Sequence, residues 1–409
     1  MGGKFLMEVI IIGGGAAGFF TAVNAALLNP DYKITLLEKS NKLLSKVLVS
    51  GGGRCNVTHA CFENGLLVKS YPRGEKELRS AFNKFTTTDT INWFKEQGVE
   101  LKAEDDGRMF PVTNSSETIA NCLLDAAKNL AIKIKTSISV KEIIVNENKT
   151  FTLKTDADHA LHCDKLVIAT GGNPKSESYN WLRQIGHTII PPVPSLFTFN
   201  IPDKTLTKLM GVSVPQARVK VKGTKLETEG PLLITHWGMS GPAVLKGSAW
   251  GARTLNDLNY DFVAIIDWLC RYKEDELREE LLFQKENHAP RQVVSIPLFD
   301  LPKRLWEYLT TKAEINENTR WADVNKKQIN SLINILIRDE YPVKGKTTFK
   351  EEFVTCGGVS LKEIDFATMQ SRKIPNLYFA GEVLDIDGIT GGFNFQSAWT
   401  TGWIAANSL

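Results

Sequence analysis

A glycine-rich turn near the start of the chain has the residue types and spacing that bind a nucleotide pyrophosphate. Gly13, Gly15 and Gly18 directly follow the apolar run 9–12, and Glu38 lies 20 residues beyond Gly18. The first glycine allows a tight turn, the second lets a pyrophosphate approach the backbone, and the third lets a helix pack closely on the sheet. A carboxylate at this distance accepts hydrogen bonds from an adenosine ribose. It favours a cofactor with a free 2′-hydroxyl, as in FAD or NAD, over NADP.

The segments around this turn predict the strand–helix–strand unit that such a motif requires. Residues 9–12 predict a buried strand, the apolar and alanine-rich residues 16–28 a buried helix, and residues 33–37 a second strand. The N-terminus of that helix offers free N–H groups and the positive end of its dipole to phosphates. We therefore predict a dinucleotide-binding unit in which Ala16 and Ala17 join the glycines as binding residues.

Further stretches end strands in small residues or open with glycines. Residues 50–56 contain three consecutive glycines, which suit a loop where the backbone passes close to a ligand. Arg54 and Asn56 in this stretch can donate to a phosphate or a flavin edge; the alternative is a flexible surface linker. Strands ending in small residues and glycine are predicted over 165–172 and 376–382.

Two later motifs also carry chemistry-bearing residues. Residues 391–394 precede a predicted helix, whose N-terminus could face a flavin or pyrophosphate oxygen. The stretch 235–242 brackets Ser240 with glycines, but its spacing is not that of a nucleophile elbow, so a serine hydrolase is excluded. His236 is the candidate catalytic residue, either as a proton donor or as a stacking group beside a cofactor; the alternative is a histidine with a structural hydrogen bond.

Composition bounds the class of protein. A chain of 409 residues with 43% apolar and 23% charged residues is typical of a globular protein of two or three domains. The net charge of +3 predicts neither a nucleic-acid nor a membrane partner, although a local basic patch stays open. The six cysteines show no CxxC or zinc-type spacing and predict reduced thiols in a cytoplasmic protein, with no metal site. The first apolar run leads into the glycine turn, which predicts no secretory signal.

The order of the segments also predicts an insertion. The proline-rich residues 189–194 predict a domain crossing, after which short strands follow. Residues 273–337 carry charged helical periodicity and predict a small helical subdomain within the strand-rich part, and residues 344–355 predict a returning strand.

Taken together, the motifs resemble those of flavoproteins of the glutathione-reductase-like superfamily, which have two dinucleotide-binding domains. More narrowly, residues 50–56, 235–242 and 391–396 resemble one bacterial family of FAD-dependent oxidoreductases, described as aminoacetone oxidase-like or 3-dehydro-bile-acid reductase-like. The resemblance spans essentially the whole chain. It implies an α/β fold in which a Rossmann-like FAD-binding domain is interrupted by an inserted β-barrel domain carrying the small helical subdomain. The implied parts are residues 1–190 and 356–409 for the FAD-binding domain, 191–271 and 339–355 for the barrel, and 272–338 for the helical subdomain.

The same resemblance implies which residues surround FAD, with Val140 as a further cofactor-binding residue. By matching position, adenosine and pyrophosphate would be held by Gly13, Gly15, Gly18, Glu38 and Lys39, with Thr170 and Gly171 on the adenosine side. Ala16, Ala17 and Ala169, which adjoin these residues, are also predicted to bind the cofactor. The flavin would lie near Gly52, Arg54, Cys55 and Asn56, the ribityl chain and pyrophosphate near Gly381, Glu382 and Asp385, and the isoalloxazine near Gly392, Phe393 and Asn394.

FAD would carry out hydride chemistry while the protein orients it and tunes the ring nitrogens N1 and N5. A helix that begins near Asn394 would stabilise negative charge at N1. Electrons would enter either from NAD(P)H, to reduce an activated double bond of a small organic substrate, or from an aminoacetone-like amine, to reach dioxygen. The sequence lacks a second glycine-motif unit for a nicotinamide, so NAD(P)H is predicted as a transient donor. NAD(P)H-dependent reduction is the leading prediction.

Three other readings stay open, and so does the oligomeric state. A disulfide reductase would use Cys55 and Cys61, but five residues separate them, one more than in the redox pair of that class. A tRNA-modifying or RNA-binding flavoprotein is a second rival, because such enzymes share this FAD fold; the balanced charge and the lack of an aromatic-interleaved basic stripe count against it. A flavin-binding protein without turnover is the third. Basic residues of the insert that would serve RNA binding are Lys204, Lys208, Arg218, Lys220, Lys222 and Lys225.

Overall fold

A computed structural model describes residues 7–156, 160–347 and 354–409. The chain forms two compact units: a terminal unit, made of Met1–Ser195 with Lys350–Leu409, and an inserted unit, Leu196–Phe349. These divisions lie a few residues from the boundaries predicted at 190/191 and 355/356. The predicted returning strand over 344–355 falls partly on 348–353, outside the described residues.

The strands have the following bounds in chain order. They are β1 Glu8–Ile12, β2 Lys33–Leu37, β3 Thr58–His59, β4 Leu101–Ala103, β5 Arg108–Pro111, β6 Lys133–Lys135, β7 Val140–Val145, β8 Phe151–Thr155, β9 Leu161–Cys163, β10 Lys165–Ile168, β11 Ile189–Ser195, β12 Thr198–Asn200, β13 Ser213–Val221, β14 Glu227–Ile234, β15 Gly238–Ser240, β16 Asp261–Asp267, β17 Asp339–Lys344, β18 Lys346–Thr347, β19 Val354–Val359, β20 Ile364–Asp365, β21 Gln370–Ser371 and β22 Leu377–Phe379.

The α-helices have the following bounds. They are α1 Ala16–Leu28, α2 Ser45–Gly53, α3 Asn64–Leu67, α4 Glu75–Ala81, α5 Thr87–Glu96, α6 Ser116–Asn129, α7 Asn180–Gln184, α8 Lys204–Thr207, α9 Pro242–Trp250, α10 Ala252–Asp257, α11 Glu274–Asn287, α12 Lys303–Lys312, α13 Lys326–Arg338 and α14 Phe393–Ala406. None of these helices, within the residues described, is long and apolar enough to cross a membrane.

A seven-stranded sheet with the order β20-β21-β22-β10-β1-β2-β6 is the centre of the terminal unit. From β22 to β6 the neighbours pair in parallel, while β20 and β21 add an antiparallel edge. Strand β1 lies between β2 and β10, and Val9, Ile10 and Ile11 are buried on both faces, as expected for a strand inside a parallel sheet. Helices α1 and α14 pack against each other beside it. The predicted strand–helix–strand unit is therefore confirmed as β1–α1–β2.

The parallel arrangement brings the predicted motifs to one edge of this sheet. Strands β1, β10 and β22 end at Ile12, Ile168 and Phe379, and each is followed by small residues and glycine. The carboxyl ends of parallel strands meet at the same edge, which is where ligands bind in open α/β sheets.

The proline-rich segment predicted as a crossing is itself a strand of the terminal unit. Strand β11 pairs antiparallel with β19, and the register shifts between Ile190 and Val193. Pro191 and Pro192 lie at this irregularity. Proline has no N–H to donate, so such residues are tolerated at a bulge or an edge of a sheet.

The inserted unit contains an antiparallel sheet with the order β17-β16-β13-β14-β15-β12-β18. Its two end strands are consecutive in the chain and are separated by Gly345 alone. The Gly345 N–H donates to the Tyr260 carbonyl at 2.8 Å, and its carbonyl accepts from the Asn200 N–H at 3.2 Å, so the sheet closes on itself. Helices α11, α12 and α13 form the helical subdomain, with Trp306 and Trp321 fully buried. The predicted α/β fold with an inserted barrel and helical subdomain is confirmed.

Candidate functional site

The glycines of the turn after β1 differ in whether an added Cβ atom would find space. A Cβ on Gly13, at φ +120°, would lie 2.2 Å from the Ala169 carbonyl oxygen, and one on Gly18 would lie 1.9 Å from the Gly13 carbonyl oxygen. A Cβ on Gly15, by contrast, would meet no atom within 4 Å. Gly15 precedes α1 and no side chain caps this helix. The first N–H groups of α1, at Ala16 and beyond, therefore adjoin open space, as binding of a pyrophosphate requires.

The carboxylate predicted to bind the ribose is held in a fixed position. Glu38 follows β2, and its two carboxylate oxygens accept hydrogen bonds from the backbone N–H groups of Gly14 and Ser40, each at 2.9 Å. It lines a cavity of about 420 Å³ at the carboxyl edge of the sheet. Predicted residues that also line this cavity are Gly13, Lys39, Val140, Thr170 and Gly171. The space and its donors fit the adenosine half of FAD.

A buried polar atom of β19 lies beside the residues that follow β10 and β22. Ala169 is buried, and Gly381 approaches Ala17 so closely that a Cβ there would lie 2.7 Å from the alanine Cβ. Glu382 accepts from the Thr355 N–H at 2.9 Å and from Lys46 Nζ at 2.6 Å. The Thr355 hydroxyl oxygen is buried and has no hydrogen-bond partner among the described residues.

A buried hydroxyl without a partner is unfavourable unless another group supplies a hydrogen bond. The hydroxyl of Thr355 lies beside Gly172 and Glu382, at the sheet edge where the ribityl chain and pyrophosphate are predicted. The Thr355 hydroxyl, like the cavity beside Glu38, therefore fits a bound cofactor. Asp385, the third predicted residue of this group, is partly exposed and follows the short turn at 381–383.

The triple glycine follows a short helix, α2, that was not predicted from the sequence. Helix α2 is regular only as far as Val49, because Ser50 has ψ 150° and Gly51 and Gly52 have φ +60° and +68°. A Cβ on Gly52 would meet nothing within 4 Å. The loop expected at the glycines is present, and Gly52 offers its backbone to open space, as proximity to a flavin requires.

The Arg54 side chain, directly after the glycines, is held by two contacts. The Arg54 guanidinium lies 3.9 Å from the centre of the Phe110 ring and bonds to Glu104 at 2.5 Å.

The two cysteines that a disulfide reductase would use are Cys55 and Cys61. Cys55 is fully buried, and burial raises the pKa of its thiol to about 12. Cys61 is partly exposed, and burial also raises its pKa. Both are free thiols, and a protonated thiol is a poor nucleophile, so the disulfide-reductase reading gains no support.

The glycine turn before α14 is joined to the loop that contains Asn56. The Asn56 amide donates to the Thr58 carbonyl and accepts from the Gly392 N–H, both at 3.0 Å. The carbonyl of Phe393, the first residue of α14, accepts from the Tyr71 hydroxyl at 2.7 Å. The Asn394 side chain bonds the backbone of Gly388 at 2.8 and 3.0 Å. Two motifs predicted to lie near the isoalloxazine are thus brought together within the terminal unit.

A histidine that the sequence analysis did not single out lies at this junction. The His59 ring stacks on Phe393 with centroids 4.5 Å apart, and its Nδ1 lies 2.9 Å from the Gly391 carbonyl oxygen. A carbonyl can only accept, so Nδ1 carries the proton in this contact. A Cβ on Gly107 would lie 2.6 Å from Nε2, so the ring needs glycine at that position. The contact joins residues 332 positions apart, and no local sequence pattern indicates it.

The histidine that was predicted lies elsewhere in the chain. His236 is exposed on the turn between β14 and β15 of the inserted unit, with its ring 4.8 Å from that of Trp237. Its role in catalysis stays a prediction. No group of His, Cys, Asp and Glu that could hold a metal occurs in the part of the chain that the structure describes.

A parallel sheet whose edge carries a glycine turn and an acid fixed by two backbone N–H groups is the architecture of an FAD-binding Rossmann-like protein. The fold is shared with 3-ketosteroid delta1-dehydrogenase from Sterolibacterium denitrificans, with a TM-score of 0.53, 12% identity and coverage of 99% of each chain. At this identity the likeness concerns the fold alone.

The chain belongs to the family described as HI0933-like protein Rossmann domain, whose model matches residues 7–408. It is 33% identical over 414 residues to a ribosomal RNA dihydrouridine synthase from Haemophilus influenzae, with 98% of each chain covered. It is 27% identical over 409 residues to a 3-dehydro-bile acid delta(4,6)-reductase from Clostridium scindens, covering 97% of this chain and 98% of the relative. The protein is therefore an FAD-dependent oxidoreductase, and the predicted resemblance to bile-acid reductases is confirmed at the level of the family.

Proposed function

We propose that this protein reduces the C5=C6 double bond of a uridine in ribosomal RNA, with FAD as hydride carrier and NAD(P)H as transient electron donor. The observation that carries the proposal is the match to the Haemophilus influenzae relative, 33% identical with 98% of both chains covered. That relative is named for the product of this reaction.

The bile-acid reductase relative supports the same class of chemistry. The delta(4,6) double bonds after which that relative is named and the C5=C6 bond of uracil can both be conjugated with a carbonyl group. Reduction of such a bond adds a hydride to the carbon β to the carbonyl and a proton to the α carbon, so the product gains two hydrogens. When bound, FAD supplies the hydride and receives its two electrons from NAD(P)H. The chain itself must orient the ring and deliver the proton.

His59 is the side chain that we assign to proton delivery. Among the residues described, the titratable side chains of Tyr71 and His59 contact Phe393. The Tyr71 hydroxyl donates a hydrogen bond to the Phe393 carbonyl, and burial raises the pKa of this hydroxyl well above its ordinary range. His59 is partly exposed, and its ring is oriented by the Gly391 carbonyl and by Phe393. Both ring nitrogens carry a proton in the imidazolium form, so Nδ1 would keep its hydrogen bond to the Gly391 carbonyl while Nε2 gives its proton to the substrate carbon.

The expectation of no nucleic-acid partner rests on the net charge of +3 and on the lack of an aromatic-interleaved basic stripe in the sequence. Net charge sums over the whole surface, whereas RNA binding depends on where cations lie and on whether acids neutralise them. The charge balance therefore leaves an rRNA substrate compatible with this chain.

The test is a reconstituted reaction. FAD-loaded protein is incubated anaerobically with NADPH or NADH and an unmodified ribosomal RNA transcript, and nucleosides are analysed by mass spectrometry. We expect dihydrouridine at a defined position. A parallel reaction offers a 3-oxo-4,6-diene steroid instead. Reduction of the steroid with unchanged RNA would replace the proposed substrate, and reduced flavin with no product from either acceptor would reject the proposal.

A further inference from the structure

We propose that one surface of the inserted unit binds single-stranded RNA; this inference rests on the proposed function and names where the substrate's flanking strand is held. The surface combines the turn between β14 and β15 with the segment 201–211 and the start of α12. We call it the aromatic–basic surface, and its residues are His236, Trp237, Met210, Lys204, Lys208 and Arg304.

Backbone hydrogen bonds place these segments side by side. The Ile201 N–H donates to the Trp237 carbonyl at 2.9 Å, and the Gly211 N–H donates to the Ile234 carbonyl at 2.9 Å. Both ends of the segment 201–211 are thereby fixed against the turn. The Arg304 guanidinium donates to the Lys208 carbonyl at 2.5 Å, which brings the start of α12 to the same place.

Large side chains of this surface, two of them aromatic rings, are open to solvent. Trp237 is 49% exposed and Met210 is 55% exposed, and the His236 ring, also exposed, lies 4.8 Å from the indole. Exposed aromatic faces of this kind stack on nucleobases, and every base offers such a face, so stacking tolerates different sequences.

The cations of this surface are not neutralised by acids. Lys204, Lys208 and Arg304 are exposed and make no ion pair within residues 7–156, 160–347 and 354–409. Asp203 is the acid of the segment 201–211; its carboxylate caps α8 and also accepts from the Tyr308 hydroxyl at 3.2 Å. A phosphate backbone is the partner that complements unpaired cations beside stacking rings.

Three basic residues on β13 and directly after it show the opposite arrangement. Arg218 pairs with Glu229 at 2.6 Å, Lys220 approaches Glu227 at 3.9 Å, and Lys222 pairs with Glu340 at 2.8 Å. Half of the six basic residues noted in the sequence are therefore paired with glutamates, whereas Lys204 and Lys208 belong to the aromatic–basic surface. This division supplies matched controls, since Lys222 has the same charge as Lys208 but a partner.

The experiment measures binding of a fluorescein-labelled oligouridylate to the full-length, FAD-loaded protein across a series of salt concentrations. Each cation that contacts a single strand adds about 0.7 to the slope of log affinity against log salt. We expect the K204A/K208A double variant to lose about 1.4 from that slope. We expect Trp237→Ala to weaken binding roughly tenfold with an unchanged slope, because a stacking contact is lost. Lys222→Ala should match the wild type.

The outcomes separate this inference from the proposed function. Flavin absorbance and thermal unfolding of each variant verify that it is folded. The aromatic–basic surface is rejected if the double variant and Trp237→Ala bind as the wild type does. It is also rejected if Lys222→Ala loses as much of the salt slope as the double variant. In either case the proposed function stands when the wild type forms dihydrouridine. If the wild type does not bind the oligouridylate, the inference is also rejected. If no dihydrouridine forms in the reconstituted reaction, the proposed function fails.

Discussion

Two glycines of the same turn should respond to alanine in opposite ways. A Cβ on Gly18 would lie 1.9 Å from the Gly13 carbonyl oxygen, which is backbone and cannot rotate away. Overpacking of this kind costs typically about 1–3 kcal/mol. Gly18→Ala should therefore lower the free energy of unfolding of the protein even without FAD.

Gly15→Ala should instead affect the cofactor. Gly15 has φ −96° and ψ −169°, which alanine adopts readily, and its Cβ would meet no atom within 4 Å. Without FAD, the change from glycine to alanine before α1 should cost at most about 1 kcal/mol. If a pyrophosphate occupies the open space, the added methyl group should weaken FAD binding about tenfold, which is 1.4 kcal/mol.

Urea unfolding with and without FAD separates the two effects. At a free FAD concentration about 100 times its Kd, the wild type should gain about 2.7 kcal/mol from the cofactor, whereas a variant that binds ten times more weakly should gain about 1.4 kcal/mol. Flavin fluorescence titration gives the Kd independently. If Gly15→Ala gains as much as the wild type, the pyrophosphate does not lie at this helix N-terminus and the assignment of the site is refuted.

Three further results are expected. Burial raises the pKa of Asp387 to about 6, although the charge of Arg73 opposes this shift. The folded state therefore binds this proton more tightly than the unfolded state, so the free energy of unfolding falls as pH rises from about 4 through 6. Asp387→Asn should remove this part of the pH dependence measured by urea unfolding. Iodoacetamide should label Cys61 in the native protein and leave Cys55 unlabelled until denaturant is added, because Cys55 is buried with a thiol pKa of about 12. His59→Gln should lower dihydrouridine formation by about 10²–10⁴-fold while reduction of the flavin by NAD(P)H, followed by absorbance, stays unchanged.

The sequence predicted the bounds of those helices and strands whose structure depends on neighbouring residues alone. The helix over 16–28 and the strand over 33–37 have the predicted bounds, because a buried apolar run and a glycine turn specify them without reference to the rest of the chain. The start of α2 was not predicted, since its three apolar residues 47–49 are consecutive and show no helical periodicity, and the glycines that follow dominate the pattern. The strand pairing of β11 was not predicted either, because a bulge in strand pairing has no signal within one segment.

The parts that long-range contacts create could not be predicted in this way. Closure of the barrel depends on Gly345 bonding to two strands that are remote in sequence, and it was expected only from the family resemblance. Lys46 reaches Glu382 across 336 positions, and His59 reaches Gly391 across 332. The division of the insert's basic residues into paired and unpaired groups likewise depends on which strands place glutamates opposite them. Residue type and spacing carry no information about such pairs.

Anaerobic absorbance titration tests the central claim most directly. The purified, FAD-loaded protein is titrated with NADPH and with NADH, and an unmodified ribosomal RNA transcript is then added. We expect the flavin band near roughly 450 nm to bleach with a nicotinamide and to return when the RNA is added, as electrons pass to uridine. A protein that holds no flavin, or whose flavin is reduced by aminoacetone and not by either nucleotide, would contradict it.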